Sequence, residues 1–427
     1  LTQEEVDAAD FGDIADSIDY EKLYNERMPL LRKAYERSKI SENEEYGRYM
    51  KENEWWLTDY ALFMAVKGRF NGVAWTEWAE DIKLRYGYSM DYYRIELYYD
   101  IEFHQYLQFV FYKQWMKLKE YANSKGVQLI GDIPIYVAFD SADTWANPEL
   151  FQLDEENVPL AVAGCPPDGF SATGQLWGNP LYRWDYHEQT GYDWWVKRLA
   201  YCFKMYDMVR IDHFRGFDEY YSIPYGAETA IDGHWEKGPG MKLFRRMKEV
   251  LGEREVVAED LGYMTDTVRQ LVKVSGFPNM KVLEFAFDSR DTGSASDYLP
   301  HNYTENCVAY TGTHDNETII GWLDSISKEE KTMARDYMCD YKTAQKNLYW
   351  PMICLIMRSR ANLCVIPMQD YLGLDNKARL NQPSTVGKNW KWRVKEEQIS
   401  EELKGKIRGI TKMYGRIGSQ WDDKLDA

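Results

Sequence analysis

Residues 207–217 read DMVRIDHFRGF, and the fold is decided by why an otherwise apolar segment carries Arg210, Asp212, His213 and Arg215. In a strand, side chains two apart share a face, so Arg210 and Asp212 point together while His213 faces the other way until the strand ends. Five further apolar runs have the same texture: VQLIGDIPI (127–135), EVVAEDLG (255–262), MKVLEFAF (280–287), CVAYTGTHD (307–315) and LCVIPMQD (363–370). In five of the six, charged or amide residues gather at the C-terminal end: Asp132, Asp212, Glu259, Asp315 and Gln369–Asp370. Helical spacing fills TDTVRQLVKVSG (265–276) and much of 328–360, which makes these strands parallel βαβ units. Polar residues sorted by strand direction are expected of an α/β fold of the TIM (β/α)8 type, whose active-site mouth lies at the C-terminal ends of the strands.

Before Gly126 the pattern is different. MPLLRKAYERSK, EWWLTDYALFMAVKGRF and IEFHQYLQFVFYKQWMKLKEYANSKG carry apolar residues at three- and four-residue spacing, and no strand is expected there. A hydrophobic fraction of 44% over 427 residues excludes a disordered chain, and no apolar run is long enough for a membrane span. The formal net charge of -17, without a basic patch, argues against a nucleic-acid partner. Six cysteines far apart, without CxxC pairs, suit buried thiols in a reducing compartment. No GxGxxG, Walker A, GxSxG or HExxH pattern is present, so neither a cofactor nor a metal is expected. The 16 Trp and 33 Tyr serve core packing or the stacking of sugar faces, and composition does not separate the two.

The strand-end residues suggest a chemistry. An Arg beside Asp212 favours a carboxylate held ionised and in one rotamer, as a nucleophile requires, although the pair read alone could be a structural ion pair. Glu259 ends the next strand, and one anionic carboxyl beside one with a raised pKa is the pairing that retaining glycoside chemistry uses. His314 and Asp315 of TGTHDNET suit hydrogen bonds to sugar hydroxyls and stabilisation of an oxocarbenium-like transition state. The segment GCPPDGFSATGQLWGNPLY (164–182) is expected to be irregular because it is rich in Gly and Pro.

Together with NEWWLTDYALFMAVK, GDIPIYVAFDSADTW and RLNQPSTVGKNWKWR, these motifs span most of residues 30–395. The chain thereby resembles the 4-α-glucanotransferases of the amylomaltase or disproportionating-enzyme family, glycoside hydrolase family 77, in the α-amylase clan. The resemblance implies Asp212 as nucleophile, Glu259 as general acid/base and Asp315 as transition-state stabiliser, with Arg210, His314 and Asp132 in support. It also implies that 164–182 is a mobile loop over bound glucan, with Asp168, Phe170, Gln175 and Trp177 as sugar contacts. Gly169 departs from members that carry an aromatic residue there, and Trp390 and Trp392 belong to the matched pattern but could equally be packing.

The implied partners are α-1,4-glucans and maltooligosaccharides, with neither nucleic acid nor membrane involved, in a bacterial cytosol or a plastid stroma. Residue types alone leave a clan hydrolase with the same carboxylates as an alternative, and a silent glucan-binding protein would be expected to lack Asp212 or Glu259. The resemblance also numbers the six strands as the third to eighth of the barrel. The expected layout is one barrel domain over 1–427, with a mainly helical insertion over about 1–125, strands three to eight with their loops over about 126–395, and a helical segment over about 396–427. With no sequence for strands one and two, the expectation is that a preceding segment completes the unit.

Overall fold

The computed structural model describes residues 1–167, 171–262, 264–290 and 295–418. The chain divides into two compact units, residues 31–277 and residues 1–30 with 278–427.

In the 31–277 unit the helices come first. Asn43 caps Glu44–Glu52 by accepting a hydrogen bond from the Tyr46 N–H, which satisfies one of the unpaired donors of the first turn. Glu54–Arg69 follows and buries Leu57, Ala61, Leu62, Phe63, Ala65 and Val66, a broad apolar face rather than a narrow stripe. Gly87–Glu96 and the long Tyr98–Ser124 complete the set.

The strands of this unit are β1 (Ile130–Pro134), β2 (Ala161–Cys165), β3 (Gln175–Pro180), β4 (Met208–Asp212), β5 (Glu219–Pro224), β6 (His234–Lys237) and β7 (Val256–Ala258). β1, β4 and β7 pair in parallel, with Asp132 opposite Arg210 and Ile211 opposite Ala258. Their connections run through Asp193–Met205 and Met241–Leu251, as βαβ units require. Val209, Ile211, Val256 and Ala258 are fully or almost fully buried with Trp195, Leu199, Phe214, Phe217, Leu243 and Phe244. Gly131 permits the close β1 packing, since a Cβ there would lie 2.1 Å from the Tyr206 ring.

The sequence reading missed the other sheet. β2, β3, β5 and β6 form an antiparallel sheet in the order β3-β2-β5-β6, so the segment 164–182 is not irregular throughout as expected: Gln175–Pro180 is a strand. Gly and Pro do not prevent this, because β3 is an edge strand with Pro180 at its end. Gly164 is part of the mechanism of pairing. The register shifts between Val162 and Gly164, and a Cβ on Gly164 would stand 2.1 Å from the Gln175 carbonyl oxygen.

In the other unit β8 (Asn279–Val282), β9 (Cys307–Tyr310) and β10 (Leu363–Val365) are parallel, in the order β8-β9-β10. Ile319–Ser325, Lys328–Met338, Tyr349–Met357 and Glu401–Met413 belong to the same unit, and Leu283, Ala309, Ile319, Leu323, Met352, Ile353 and Ile356 form a buried apolar core. The chain start joins this unit through a bridge between Ser17 and Trp392.

Candidate active site

In the 31–277 unit, β1 and β4 bring three charged residues together. The buried Arg210 donates from Nη1 to Asp132 Oδ2 at 2.5 Å and from Nη2 to Asp212 Oδ1 at 2.9 Å. Both bonds are charge-assisted, so one guanidinium fixes two carboxylates along the strand ends. The i, i+2 reading of Arg210 and Asp212 is the geometry found.

After Asp212 the chain turns sharply. His213 takes a left-handed backbone (φ 52°), and Phe214–Phe217 follows as a buried single 3-10 segment. That turn aims the His213 N–H at Glu259 Oε2, 2.6 Å away, while the Leu261 N–H donates to Oε1 at 2.8 Å. Glu259 is 9% exposed at the end of β7. Burial pushes its pKa up to about 7, and the charge of Asp212 adds to the rise. Arg210 and the two backbone N–H groups oppose the shift without cancelling it. The unit therefore holds an acid that keeps its proton near neutrality beside an Arg-bound carboxylate.

Gln175 and Trp177, two apart on β3, share a face, and the Trp177 Nε1–H donates to Gln175 Oε1 at 3.0 Å. The Trp177 ring meets the His213 imidazole edge-on, with centroids 4.8 Å apart. Asp168 and Phe170, predicted as sugar contacts, lie outside the described residues, as does Gly169.

The unit of residues 1–30 and 278–427 holds Asp315, the carboxylate expected to stabilise the transition state. Asp315 follows β9 and accepts from Asn381 Nδ2 at 2.5 Å, with His314 Nε2 3.4 Å from its other oxygen. Arg379 donates from Nη2 to the Asp315 backbone carbonyl at 2.6 Å and from Nε to the Asn381 carbonyl at 2.9 Å. The Asn381 N–H closes the ring on the His314 carbonyl at 3.1 Å. Asp315 and His314 are thus brought together, and Trp390 packs 5.3 Å from the His314 ring. Arg379 and Asn381 escaped the sequence reading. They stand in the quoted segment RLNQPSTVGKNWKWR, but nothing local connects that segment to TGTHDNET.

Glu284 was also missed, although a Glu within the apolar run MKVLEFAF was a visible signal. It is 6% exposed, and its Oε1 has no hydrogen-bond partner among the described residues. Burial holds its pKa well above the usual carboxylate range, and the charges of Asp370 and Glu317 add to the effect. Asp370 is itself raised to about 6 by burial, against hydrogen bonds from the Thr311 hydroxyl (2.6 Å) and the Ile319 N–H (2.8 Å). A carboxyl whose folded pKa lies above its unfolded one contributes stability at acid pH that is lost as pH rises above the unfolded value. Glu284→Gln, neutral at every pH, should therefore raise stability at pH 8, where the ionised unfolded carboxyl otherwise favours unfolding. Denaturant unfolding should show that gain shrinking towards pH 5. An equal difference at both pH values would mean Glu284 is not kept protonated.

The comparisons agree with this architecture. A family model described as 4-α-glucanotransferase matches residues 1–399. A 4-α-glucanotransferase of Clostridium butyricum is 47% identical over 419 residues, covering 97% of this chain and 85% of that protein. One from Streptococcus pneumoniae is 43% identical over 427 residues, covering 99% and 83%. Among solved structures, the amylomaltase of Streptococcus agalactiae in complex with acarbose superposes with a TM-score of 0.92 at 41% identity, covering 98% of this chain and 84% of that one. This likeness carries the α/β barrel fold class expected from the sequence. On the family match and on relatives of this identity and coverage, the chain belongs to the 4-α-glucanotransferase family of amylomaltases.

Proposed function

We propose that this glucanotransferase works by a retaining double displacement with Asp212 as nucleophile and Glu259 as acid/base. The observation that carries the reading is the pair itself: an Arg-bound carboxylate on β4 and a buried, proton-retaining Glu at the end of the adjacent strand β7. In the first step an Asp212 oxygen attacks the anomeric carbon as the bond to the leaving glucan breaks, and Glu259 passes its proton to the departing 4-oxygen. In the second, the Glu259 carboxylate takes the proton of an acceptor 4-hydroxyl, whose oxygen displaces Asp212 from the same carbon. One α-1,4 bond is broken and one is made, and no water is consumed.

Asp315 is assigned the stabilising role; its support is the family motif and the fixing of its carboxylate by Asn381. Arg210, His314 and Asp132 are read as supporting residues. Gln175 and Trp177, with Asp168 and Phe170, are read as sugar contacts on the family motif. We extend the α-glucan activity to maltooligosaccharides and to glucans of the starch and glycogen type. Among the described residues no helix is long and apolar enough to cross a membrane. The setting is read as cytoplasmic, with a plastid stroma as the alternative.

Maltotriose is the discriminating substrate. Incubation followed by chromatography should give glucose and a ladder of longer oligosaccharides, with almost no gain in reducing ends because each broken bond is replaced. A steady rise in reducing ends without longer products would identify a hydrolase.

A further inference from the structure

Trp177 sits on edge strand β3, partly exposed, where a sugar contact would be its ordinary reading. Its surroundings indicate more. Its ring meets the His213 imidazole at 4.8 Å and 89°, and the Tyr136 ring lies 6.3 Å from the same imidazole. A Cβ on Gly216 would stand 3.2 Å from His213 Cδ2, so the ring occupies space that a larger residue at 216 would contest. His213 Nε2 is buried without a hydrogen-bond partner among the described residues. Burial and the charge of Arg215 hold the imidazole neutral, with its pKa pushed down to about 3. Packing rather than hydrogen bonding at Nε2 therefore orients this ring.

The same residue carries a backbone conformation that non-glycine residues adopt at a cost of about 1–3 kcal/mol and keep only when their surroundings impose it. That turn delivers the 2.6 Å hydrogen bond to Glu259 Oε2, and the next residue's N–H binds the Glu259 carbonyl at 3.0 Å. Packing on the imidazole is thus connected through one residue to the carboxyl that must meet the leaving oxygen.

We propose that Trp177 is a positioning residue for Glu259, acting through His213, and not only a surface on which sugar stacks. The inference rests on the assignment of Glu259 as acid/base. It predicts that losing the indole loosens His213 and impairs proton donation more than substrate binding.

The test uses the whole chain and a series of aryl α-maltotriosides whose aglycones differ in acidity but little in size. A stacking role lowers the rate equally for every aglycone. A positioning role leaves the most acidic aglycone little affected and lowers the least acidic one by about 10²-fold, the effect of a misplacement of roughly 1 Å. Trp177→Ala should therefore give a steeper dependence on leaving-group acidity, with the loss in kcat. Trp177→Phe, which keeps a ring edge, should return the slope towards that of the unmodified enzyme. His213→Asn, which tolerates a left-handed backbone but lacks the ring, should reproduce the steeper slope independently. Parallel lines for Trp177→Ala and His213→Asn would overturn the inference. Glu259→Gln is the separate control: if its own slope is unchanged, the acid/base assignment fails, whereas a steep slope there with parallel lines for the other two rejects only the role of Trp177.

Discussion

Asp212→Asn should reduce kcat by on the order of 10⁶-fold, as removal of a nucleophile does where a covalent intermediate is obligatory. The substitution keeps size and one acceptor oxygen but removes the charge that Arg210 binds at 2.9 Å. Arg210 retains Asp132 as a partner, so the fold should survive and circular dichroism should be unchanged. The decisive measurement is mass spectrometry after rapid quenching with α-maltosyl fluoride, whose leaving group needs little protonation. The unmodified enzyme should show a glycosyl adduct, and Asp212→Asn none. An adduct on Asp212→Asn, or turnover within tenfold of the parent, would place the nucleophile elsewhere. The substitution has a second consequence. The charge of Asp212 helps to raise the pKa of Glu259, so removing it should bring that pKa down from about 7.

Glu259→Gln should lower kcat on maltooligosaccharides by about 10²–10⁴-fold, the usual contribution of a positioned general acid. Its signature differs from that of the nucleophile. With the fluoride donor the first step should recover, while the second lacks its base, so the glycosyl adduct should accumulate rather than vanish.

The pH dependence follows from the same carboxyl. A group with a pKa of about 7 carries its proton below that value, so kcat/KM should fall as pH rises through about 7, and this limb should disappear in Glu259→Gln. For stability, a Glu raised from 4.5 favours the folded state below about pH 4.5, and that contribution is lost as pH rises through 7. An alkaline limb that persists unchanged in Glu259→Gln would assign it to another group.

Much of this site could be read along the chain. The six parallel strands were legible because buried β/α strands leave continuous apolar runs with polar ends: β1, β4, β7, β9 and β10 fall within the runs so marked, and β8 overlaps the start of its own. The partnership of Arg210 and Asp212 was legible because a strand's period of two is a local property. The helices before Gly126 were legible for the corresponding reason at a period near 3.6.

Other features depended on contacts distant in sequence. β3 is mostly exposed and has no alternation, so nothing in QLWGNP marks a strand; it exists because β2 pairs with it and, on its other edge, with β5, where Gly164 lies opposite Tyr221. Asn381 reaches Asp315 across 66 residues. Glu284 is one charged letter in an apolar run, and its loss of water and partner appears only after β8 and its neighbours have closed around it. The same holds for Glu259: the order of residues along the chain puts this acid at the strand end, but only folding buries it beside Asp212, because desolvation and the field of a neighbouring charge are properties of packing, not of residue type.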